Sequence, residues 1–483
     1  MYHVHAITTI SVLGFLPGLG KLLRAAFRTD IGSIYKLTQD DKVRKSQAYR
    51  LAEKTLSEKK TRDHIARIVY LPPLHLFWSL RGQGKTPAER LHRAYCQELW
   101  NDRNAWERCS MLLMYLAWPF AVPLAMLWAT NNNGRIIAAR TGKSIPRQLG
   151  EELSVAARHG ILPPWYYIFE LYDDSKREHA GEYLCRYETK GGLYRLAKAG
   201  HRTEQRYPLQ DKVEFAAHCA KHGLPAVPAY LIAGEGELHW PEGSSGHLPE
   251  RDLFFKPARG RGGTGAEVWR YRGDGSYCRT NGEIASESEL QERLRGKNET
   301  YIVQPRLTNH AAILDLSIGT LATVRMLTIL DEYEKPVATH AVFRMAVGDN
   351  LVVDNFHAGG IAAKIDMKTG VLGRATDIGL RAERGWCDRH PDTGGQIVGR
   401  CLPFWRETVE AAEKGHAAFP GRVLIGWDIA ITDDGPVLVE GNAAPDVDLI
   451  QRPYGEPLGN SRFGELLDYH LEHPITAREI HSP

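Results

Sequence analysis

Two carboxylates and an amide near the C-terminal end of the chain stand at a spacing that brings side chains together across paired strands. Residues 426–442, GWDIAITDDGPVLVEGN, are typical of two strands joined by a tight Asp-Gly turn. Counting outward from that turn places Asp428 opposite Glu440 or Gly441. Asn442 lies two residues beyond Glu440, on the same side of the sheet. Such oxygen donors suit Mg²⁺, which keeps water and substrate phosphates as its other ligands. The alternative is a solvated, loosely paired edge.

A glycine-rich segment follows a strand-like run that carries a lysine. In DLFFKPARGRGGTGAEVWRY the glycines fit G-x-G-x-x-G, but strand-like residues stand on both sides, where a dinucleotide site requires a helix to follow. A glycine hairpin between two strands lets backbone N–H groups approach phosphate oxygens, and Lys256 can neutralise those oxygens. The segment therefore predicts a flap over a nucleoside triphosphate, with a flexible glycine turn as the alternative. The glycines concerned are Gly260, Gly262, Gly263 and Gly265.

Short strands that alternate with helices must position these side chains. Asp211 opens the helical pattern DKVEFAAHCAKHG, and Gly223 ends it. Ser286 and Glu289 have the spacing of a capping box at the start of a second helix. This alternation indicates an α+β enzyme body. Apolar strand candidates lie at residues 252–257, 266–271, 300–305, 321–330, 337–347, 423–432 and 436–441.

The composition is that of a globular protein with more than one core. The 483 residues include 43% apolar and 25% charged side chains, enough for two or more cores at roughly 100 to 200 residues per domain. The 46 glycines and 26 prolines show no fixed period, which excludes collagen-like and low-complexity chains. Seven scattered cysteines without a C-x-x-C pair disfavour a disulfide framework or a structural zinc site.

Charge is divided unevenly along the chain, although the net charge is only +3. Residues 1–150 hold 23 Lys and Arg against 10 Asp and Glu, whereas the remainder holds 38 against 48. A basic front part predicts contact with an anionic surface such as a membrane, while the acidic remainder carries the chemistry. Because no nucleic-acid motif accompanies the basic residues, nucleic acid is not expected as a partner.

The most apolar stretch, residues 111–130, reads MLLMYLAWPFAVPLAMLWAT and carries no charge. A helix of that length could cross a membrane, but it contains two prolines, and the positive-inside rule opposes a simple span. A span, a re-entrant hairpin at the membrane and a buried helical hairpin of a soluble domain therefore stay open. We expect a basic, mainly helical region over 1–150, a connecting region over 151–205, and two lobes over 206–308 and 309–475.

Taken in their order along the chain, these motifs resemble those of the ATP-grasp superfamily over most of residues 206–452. Within the superfamily, the chain is similar to the branch of the ribosomal-protein glutamate ligases and, more closely, to the sugar-transfer-associated ATP-grasp family. Two segments of the front half, 29–35 and 163–174, also resemble that family. The resemblance implies the ATP-grasp fold, in which two α+β lobes close on ATP.

The resemblance also implies roles for individual residues. Lys212 in QDKVEF and Lys256 in FFKPARG match the two lysines that bind the nucleotide. Gln304 in YIVQPRL stands where the strand between the lobes usually presents Glu to the adenine and ribose. Arg325 in TVRMLT and Arg344 in AVFRMA match arginines that face the phosphates and the acyl phosphate. The magnesium ligands and the N-x-H-x-G-G loop are matched by Asp428, Glu440, Asn442, Asn355 and His357.

The activity that this resemblance implies is an ATP-dependent ligase that uses Mg²⁺ or Mn²⁺. A small or glycan-linked carboxylate would attack the γ-phosphoryl group of ATP, and an amine, less often a hydroxyl, would capture the acyl phosphate. The family association predicts a cell-surface polysaccharide or envelope precursor as the product, made in the cytoplasm or at the inner face of the membrane. Two alternatives stay open. One is a phosphoryl-transfer enzyme of the same fold, and the other is an ATP-binding, membrane-docked assembly factor for a glycosyltransferase.

Overall fold

The computed structural model describes residues 84–102, 104–200, 209, 211–259, 265–279, 281–348, 356 and 359–474. Five of the predicted site residues lie outside the described residues, namely Gly260, Gly262, Gly263, Asn355 and His357. The family-like segment 29–35 also lies outside them.

The chain divides into two compact units. The first contains the described residues up to Leu193, together with Gly379–Glu383 and Gly455–Gly464. The second contains Tyr194–Ile378, Arg384–Tyr454 and the described residues from Glu465 onward. Every predicted site residue that the structure describes belongs to the second unit.

The first unit is built from helices. They are α1 (Pro87–Asn101), α2 (Ala105–Thr141), α3 (Ile145–His159), α4 (Pro163–Ile168), α5 (Asp174–Glu178) and α6 (Arg186–Glu188), with a 3₁₀ turn at Ala180–Glu182 and a π turn at Thr189–Leu193. Local sequence sets the ends of α3. Its N-cap, Ser144, accepts a hydrogen bond from the backbone N–H of Arg147, and Gly160 ends the helix in the left-handed conformation at φ +69°.

The apolar segment 111–130 lies within a single helix, α2. The helical-hairpin alternatives are therefore wrong for this segment. Pro119 and Pro123 both stand inside α2 with exposed side chains. The carbonyl groups that lose an N–H partner lie one turn earlier on the same face, where water can bond to them. In the described part of the chain, no helix combines the length with the apolar composition that a membrane crossing needs.

The second unit contains two seven-stranded sheets. The strands of the first sheet are β1 (Leu231–Gly234), β2 (Glu237–His239), β3 (Leu253–Pro257), β4 (Glu267–Tyr271), β5 (Ser276–Cys278), β6 (Ile284–Ser286) and β7 (Tyr301–Pro305). They are arranged in the order β2-β1-β7-β3-β4-β5-β6, and adjacent strands are antiparallel. The same unit contains α7 (Tyr194–Gly200), α8 (Lys212–Lys221) and α9 (Glu287–Arg295), of which α9 packs against this sheet.

The second sheet is also antiparallel. Its strands are β8 (Thr323–Leu330), β9 (Pro336–Met345), β10 (Ile361–Ile365), β11 (Leu372–Thr376), β12 (Trp386–Cys387), β13 (Leu424–Thr432) and β14 (Gly435–Asn442). Their order is β12-β11-β10-β9-β8-β13-β14. A 3₁₀ turn at Ala311–Leu316 precedes this sheet, and its helices are α10 (Trp405–Ala418), α11 (Asp448–Tyr454) and α12 (Arg462–Glu472).

The central strands of the second sheet are buried on both faces. Every residue of β8 and of β13 is buried, which fits their nearly continuous apolar sequence. One face packs against α8 and α10, where Phe215, Phe419 and Trp427 belong to the same core cluster. Polar residues within these two strands are therefore held in a fixed, poorly hydrated environment.

The sequence predictions for the second unit are confirmed at the level of elements. All seven strand candidates correspond to strands. Asp211 caps α8 by accepting from the backbone N–H groups of Val213 and Glu214. Ser286 and Glu289 form the predicted capping box. The predicted α+β class is confirmed.

Candidate active site

The β13–β14 hairpin sets the positions of the predicted metal ligands. Its turn contains Gly435 at φ +117°, a conformation that favours glycine. The strand register pairs Asp428 with Glu440 and Gly426 with Asn442. Of the two partners predicted for Asp428, Glu440 is therefore the correct one. An irregularity in the register follows immediately, between Asp428 and Ile429.

Asp428 is buried and is bound by two arginines. Its other neighbour in the sheet is Arg325 on β8. The Arg325 guanidinium donates through Nε to Oδ1 of Asp428 at 2.5 Å and through Nη2 to Oδ2 at 3.0 Å. Arg344 on β9 also approaches Oδ2, at 3.0 Å. Burial opposes the charged carboxylate, but Arg325 and Arg344 outweigh it and hold the pKa of Asp428 well below its usual value.

A threonine on the neighbouring strand holds Arg344. Thr323 is the cross-strand partner of Arg344, and its Oγ1 accepts hydrogen bonds from Nε at 3.1 Å and Nη2 at 2.6 Å. Both side chains are buried, with 4% and 9% of their surface exposed. The hydroxyl therefore fixes the plane of the guanidinium that faces Asp428.

Glu440 lies close enough to Asp428 for the two carboxyl groups to share a hydrogen bond. Burial and the charge of Asp428 raise the pKa of Glu440. Two carboxyl groups at this separation are stabilised either by a shared proton or by a cation between them. The pair therefore fits a divalent cation by its donor chemistry.

Asn442 is half-buried at the end of β14, and its side-chain oxygen accepts a hydrogen bond from the backbone N–H of Ala444 at 2.9 Å. An amide oxygen has a second lone pair, so this bond leaves capacity for a cation. Among the described residues, no three His, Cys, Asp or Glu side chains form a group that could hold a metal. The donor set here is two carboxylates and one amide, of the kind that Mg²⁺ completes with water and phosphate oxygens.

Lys256 enters the site from the first sheet. It lies on β3 with 9% of its surface exposed. Burial, assisted by the charge of Lys212, lowers the pKa of Lys256 to about 8, and the charge of Glu440 opposes that shift. The three charges are therefore near enough to influence one another. The backbone N–H of Lys212 also donates to the carbonyl of Ala258 at 3.1 Å, which ties the first turn of α8 to the end of β3.

Gly265 is the described glycine of the predicted flap. It stands at φ +76°, and a Cβ atom there would lie 3.0 Å from both Pro257 Cγ and Tyr301 Oη. Its carbonyl accepts a hydrogen bond from the Tyr301 hydroxyl at 3.2 Å. The strands on either side are β3 and β4, as the sequence predicted. A side chain at this position would disturb the end of the hairpin that carries Lys256.

Gln304 is linked to the second sheet through Val227. It is buried on β7, and its Nε2 donates to the carbonyl of Val227 at 2.9 Å. The N–H of Val227 in turn donates to the carbonyl of Leu438 on β14 at 3.2 Å. The amide nitrogen of Gln304 is thus used for structure, whereas the adenine contact predicted for this residue stays a prediction.

The model of one protein family matches this chain over more than half of its length. The matched residues are 196–463, and the family is described as "Sugar-transfer associated ATP-grasp". The chain belongs to the sugar-transfer associated ATP-grasp family. The match covers both sheets of the second unit and all the described site residues.

Solved structures similar to this ATP-grasp protein are ligases and a synthetase. The VanG D-Ala:D-Ser ligase from Enterococcus faecalis is 13% identical at a TM-score of 0.32, covering 55% of this chain and 62% of that chain. A D-alanine–D-alanine ligase from Bacillus anthracis, complexed with ATP, is 11% identical at a TM-score of 0.31, covering 57% and 68%. The ADP complex of N5-carboxyaminoimidazole ribonucleotide synthetase is 11% identical at a TM-score of 0.29, covering 50% and 46%. The chain thus spans about six-tenths of the length of the first of these structures. A search of curated proteins finds no match.

The site of this ATP-grasp protein combines residues from both sheets and from α8. The structure brings the two carboxylates and the two arginines into direct contact, with Lys256 and Lys212 within electrostatic range. Sequence reasoning missed Thr323, although it is the hydrogen-bond acceptor that orients Arg344. Thr323 stands opposite Arg344 because of the register of β8 against β9, and the sequence alone does not specify that register.

Proposed function

We propose that this ATP-grasp protein is an ATP- and Mg²⁺-dependent ligase that activates a carboxylate as an acyl phosphate and joins it to an amine or, less often, a hydroxyl. The observation that carries the proposal is the charged cluster of the second unit. Four cationic side chains face two carboxylates in a largely buried setting: Lys212, Lys256, Arg325, Arg344, Asp428 and Glu440.

The excess of positive charge suits a polyanion. A buried cluster of cations is costly unless anions balance it, and the two carboxylates balance only half of the positive charge. Triphosphate oxygens, partly neutralised by a divalent cation, would supply the remaining negative charge. The same fixed charges would stabilise the negative charge of a transferring phosphoryl group without reorganisation.

Each cationic residue has a distinct part in this proposal. Lys256 and Lys212 would bind the triphosphate from the side of the first sheet. Arg325, held by both oxygens of Asp428, has a fixed orientation and would direct its positive charge toward phosphate oxygens. Arg344, oriented by Thr323, would hold the carboxylate substrate and bind the oxygens of the acyl phosphate.

Asp428, Glu440 and Asn442 would hold Mg²⁺, with Mn²⁺ as a substitute. The bound ion would supply charge neutralisation of the β- and γ-phosphoryl oxygens. The residues do the positioning: Glu440 stands opposite Asp428 in the sheet, and Asn442 lies two residues along the same strand. Glu440 must also lose its proton for the ion to bind, which its neighbour Lys256 favours.

We place the substrate among precursors of cell-surface polysaccharide or of the cell envelope, in a small or glycan-linked form. The family description, sugar-transfer associated ATP-grasp, supports this class. Because the reaction consumes ATP, we place the protein in the cytoplasm or at the inner face of the membrane. The two alternatives are phosphoryl transfer to a stable product and ATP binding without turnover by an assembly factor.

An acyl-phosphate trap tests the proposal against both alternatives. The protein is incubated with ATP, Mg²⁺ and hydroxylamine, together with each member of a panel of amino acids, hydroxy acids and uronic acids. We expect hydroxamate and ADP to form together for one class of acid. A phosphorylated product without hydroxamate would favour phosphoryl transfer. ATP binding without ADP formation over the whole panel would favour the assembly factor.

Two variants of the β13–β14 hairpin complete this test. E440Q removes a carboxylate ligand of the proposed metal site, so Mg²⁺-dependent ADP formation should fall. We expect a fall of about a hundredfold, which is the usual cost of losing a group that stabilises charge in the transition state. D434N changes an exposed acidic residue at the turn of the same hairpin and keeps a favourable turn dipeptide, so its activity should stay unchanged. Equal activity of E440Q and D434N would contradict the metal assignment.

A further inference from the structure

One face of α2 carries exposed apolar side chains that the core of the first unit does not use. Leu112, Leu124 and Leu127 are 46%, 47% and 59% exposed, and Pro119 and Pro123 are exposed as well. These residues recur at the spacing of one helical face, and we name them the α2 apolar stripe. From Leu112 to Leu127 the stripe is about 22 Å long, at 1.5 Å per residue.

Part of α2 packs against the rest of the first unit. Val122 and Met126 are buried and form a small core cluster with Ala156 of α3. The leucines and prolines of the stripe stay exposed beside this packed part. A row of exposed apolar side chains is typical of an interaction site, whereas single exposed leucines need no explanation.

A groove adjoins the C-terminal end of the stripe. It has a volume of about 490 Å³ and is lined by Leu127, Trp128, Ile145 and Leu149 and by the polar residues Thr130, Asn131 and Arg135. Four of its seven lining residues are thus apolar, and the exposed guanidinium of Arg135 lies among them. Apolar walls beside a cation fit an amphipathic ligand whose hydrocarbon part adjoins an anionic head group.

The front part of the sequence has the net charge that such a ligand requires. Residues 111–130 carry no charge, whereas residues 1–150 as a whole hold 23 Lys and Arg against 10 Asp and Glu. Arginine side chains stand on both sides of the uncharged segment in α2, at Arg108 and Arg135. A helix with an apolar face, basic flanks and tryptophan at the boundary is suited to lie in the plane of a membrane surface.

We infer that the α2 apolar stripe docks the protein on the surface of a bilayer that contains anionic phospholipid. The leucines and prolines of the stripe enter the boundary between head groups and acyl chains, and Arg135 contacts lipid phosphate. Trp128 lies at the level of the head groups, beside the groove. This docking is independent of the proposed ligase chemistry, because no residue of the stripe belongs to the second unit.

Vesicle flotation tests the inference with the full-length protein. The vesicles consist of phosphatidylcholine alone or of phosphatidylcholine with phosphatidylglycerol. We expect binding to the anionic vesicles, weakened by salt, and much weaker binding to the neutral ones. Equal binding to both kinds of vesicle, or binding to neither, would overturn the inference.

A matched pair of variants locates the surface. L124E/L127E places two negative charges in the stripe and should lower vesicle binding at least tenfold. L153E/I284E replaces two other exposed apolar residues, 46% and 55% exposed, and adds the same charge elsewhere, so its vesicle binding should stay close to wild type.

Three measurements on the wild type and L124E/L127E distinguish bilayer docking from the other outcomes. The ADP formation of L124E/L127E in solution should equal that of the wild type, which separates failure of docking from failure of the proposed function. If L124E/L127E floats as well as the wild type, the stripe is not the docking surface. If the wild type dimerises in light scattering, L124E/L127E is monomeric and neither binds vesicles, then a second copy of the chain covers the stripe and the bilayer inference is wrong.

Discussion

At the scale of single residues, the site depends on charges that are fixed by neighbours. Asp428 keeps its charge in a buried position because two arginines surround it, and Arg344 keeps its orientation because Thr323 accepts from it twice. Charged groups with few accessible conformations are what catalysis by electrostatic stabilisation needs. Thr323 is therefore a positioning residue in the proposed mechanism, acting through Arg344.

We predict that T323V lowers ADP formation about tenfold while leaving the fold intact. Valine has nearly the shape of threonine but accepts no hydrogen bond, so the Arg344 guanidinium loses a charge-assisted interaction of about 1.5–3 kcal/mol. Steady-state kinetics checks this, with the loss expected in kcat more than in the KM for ATP. T323S keeps the hydroxyl and should recover most of the activity. A fall of the same size in T323S would indicate a packing defect instead of lost orientation.

The contacts that could be predicted from the sequence are those between residues of the same hairpin. Counting from the turn located Asp428, Glu440 and Asn442 to within one residue, because the turn sets the register of its two strands and the irregularity between Asp428 and Ile429 shifts it by one. The contacts of Arg325 and Arg344 with Asp428 depend on strands that are distant in the sequence, and nothing local sets their register.

At the scale of elements, strands were easier to predict than the long helix. The apolar runs of β8 and β13 are short, are bounded by polar turns and are rich in β-branched residues, so only a strand fits them. In residues 111–130, the length and composition of the apolar run do not single out one kind of element in this way. Two prolines predict an interrupted helix, but both stand on an exposed face of α2, where the helix continues past them.

A buried acid joins three helices of the first unit. Glu152 of α3 is 1% exposed, and its Oε1 accepts from Thr130 of α2 at 2.6 Å and from Tyr167 of α4 at 3.0 Å. Its other oxygen has no hydrogen-bond partner in the described structure. Burial raises the pKa of Glu152 to about 7, although Thr130 and Tyr167 favour the charged form.

We predict that this packing loses stability as the pH rises from about 4.5 to about 7. The folded state binds a proton that the unfolded state releases in that window, so the stabilisation is complete below pH 4.5 and is lost above pH 7. The size of the change is about 3 kcal/mol, at about 1.4 kcal/mol for each unit of pKa. Native-state hydrogen exchange of α3, corrected for the intrinsic pH dependence, measures it.

The neighbouring acid provides the control. E152Q carries no titratable group at this position, so its α3 should show a flat profile and exceed the wild type in stability at pH 8. E151Q removes a carboxylate that Tyr166, Lys143 and Arg147 stabilise in its charged form. It should therefore be less stable than the wild type at pH 8 and should keep the fall between pH 4.5 and 7. Two identical profiles would contradict the assignment to Glu152.

At the scale of the whole molecule, the proposed chemistry and the proposed docking surface belong to different units. The lysines, arginines and carboxylates of the site lie in the two-sheet unit, whereas the α2 apolar stripe and Glu152 lie in the helical unit. Each unit has its own buried core. The charge asymmetry of the sequence agrees with this division, because the basic excess lies in residues 1–150.

We predict that a nucleotide protects the two-sheet unit from hydrogen exchange and leaves α3 and α4 unchanged. A non-hydrolysable ATP analogue with Mg²⁺ at about a hundred times its Kd stabilises the state that binds it by about 2.7 kcal/mol. Protection should concentrate in β3, α8 and the β13–β14 hairpin, because the proposed ligands of the triphosphate and of Mg²⁺ lie there. Mass spectrometry of the exchanged protein measures this peptide by peptide.

K256M keeps the length and burial of the side chain without its charge, so it should need more than ten times as much analogue for the same protection. Protection confined to the helical unit, or equal protection of K256M and wild type at the same analogue concentration, would contradict the placement of the nucleotide beside β3.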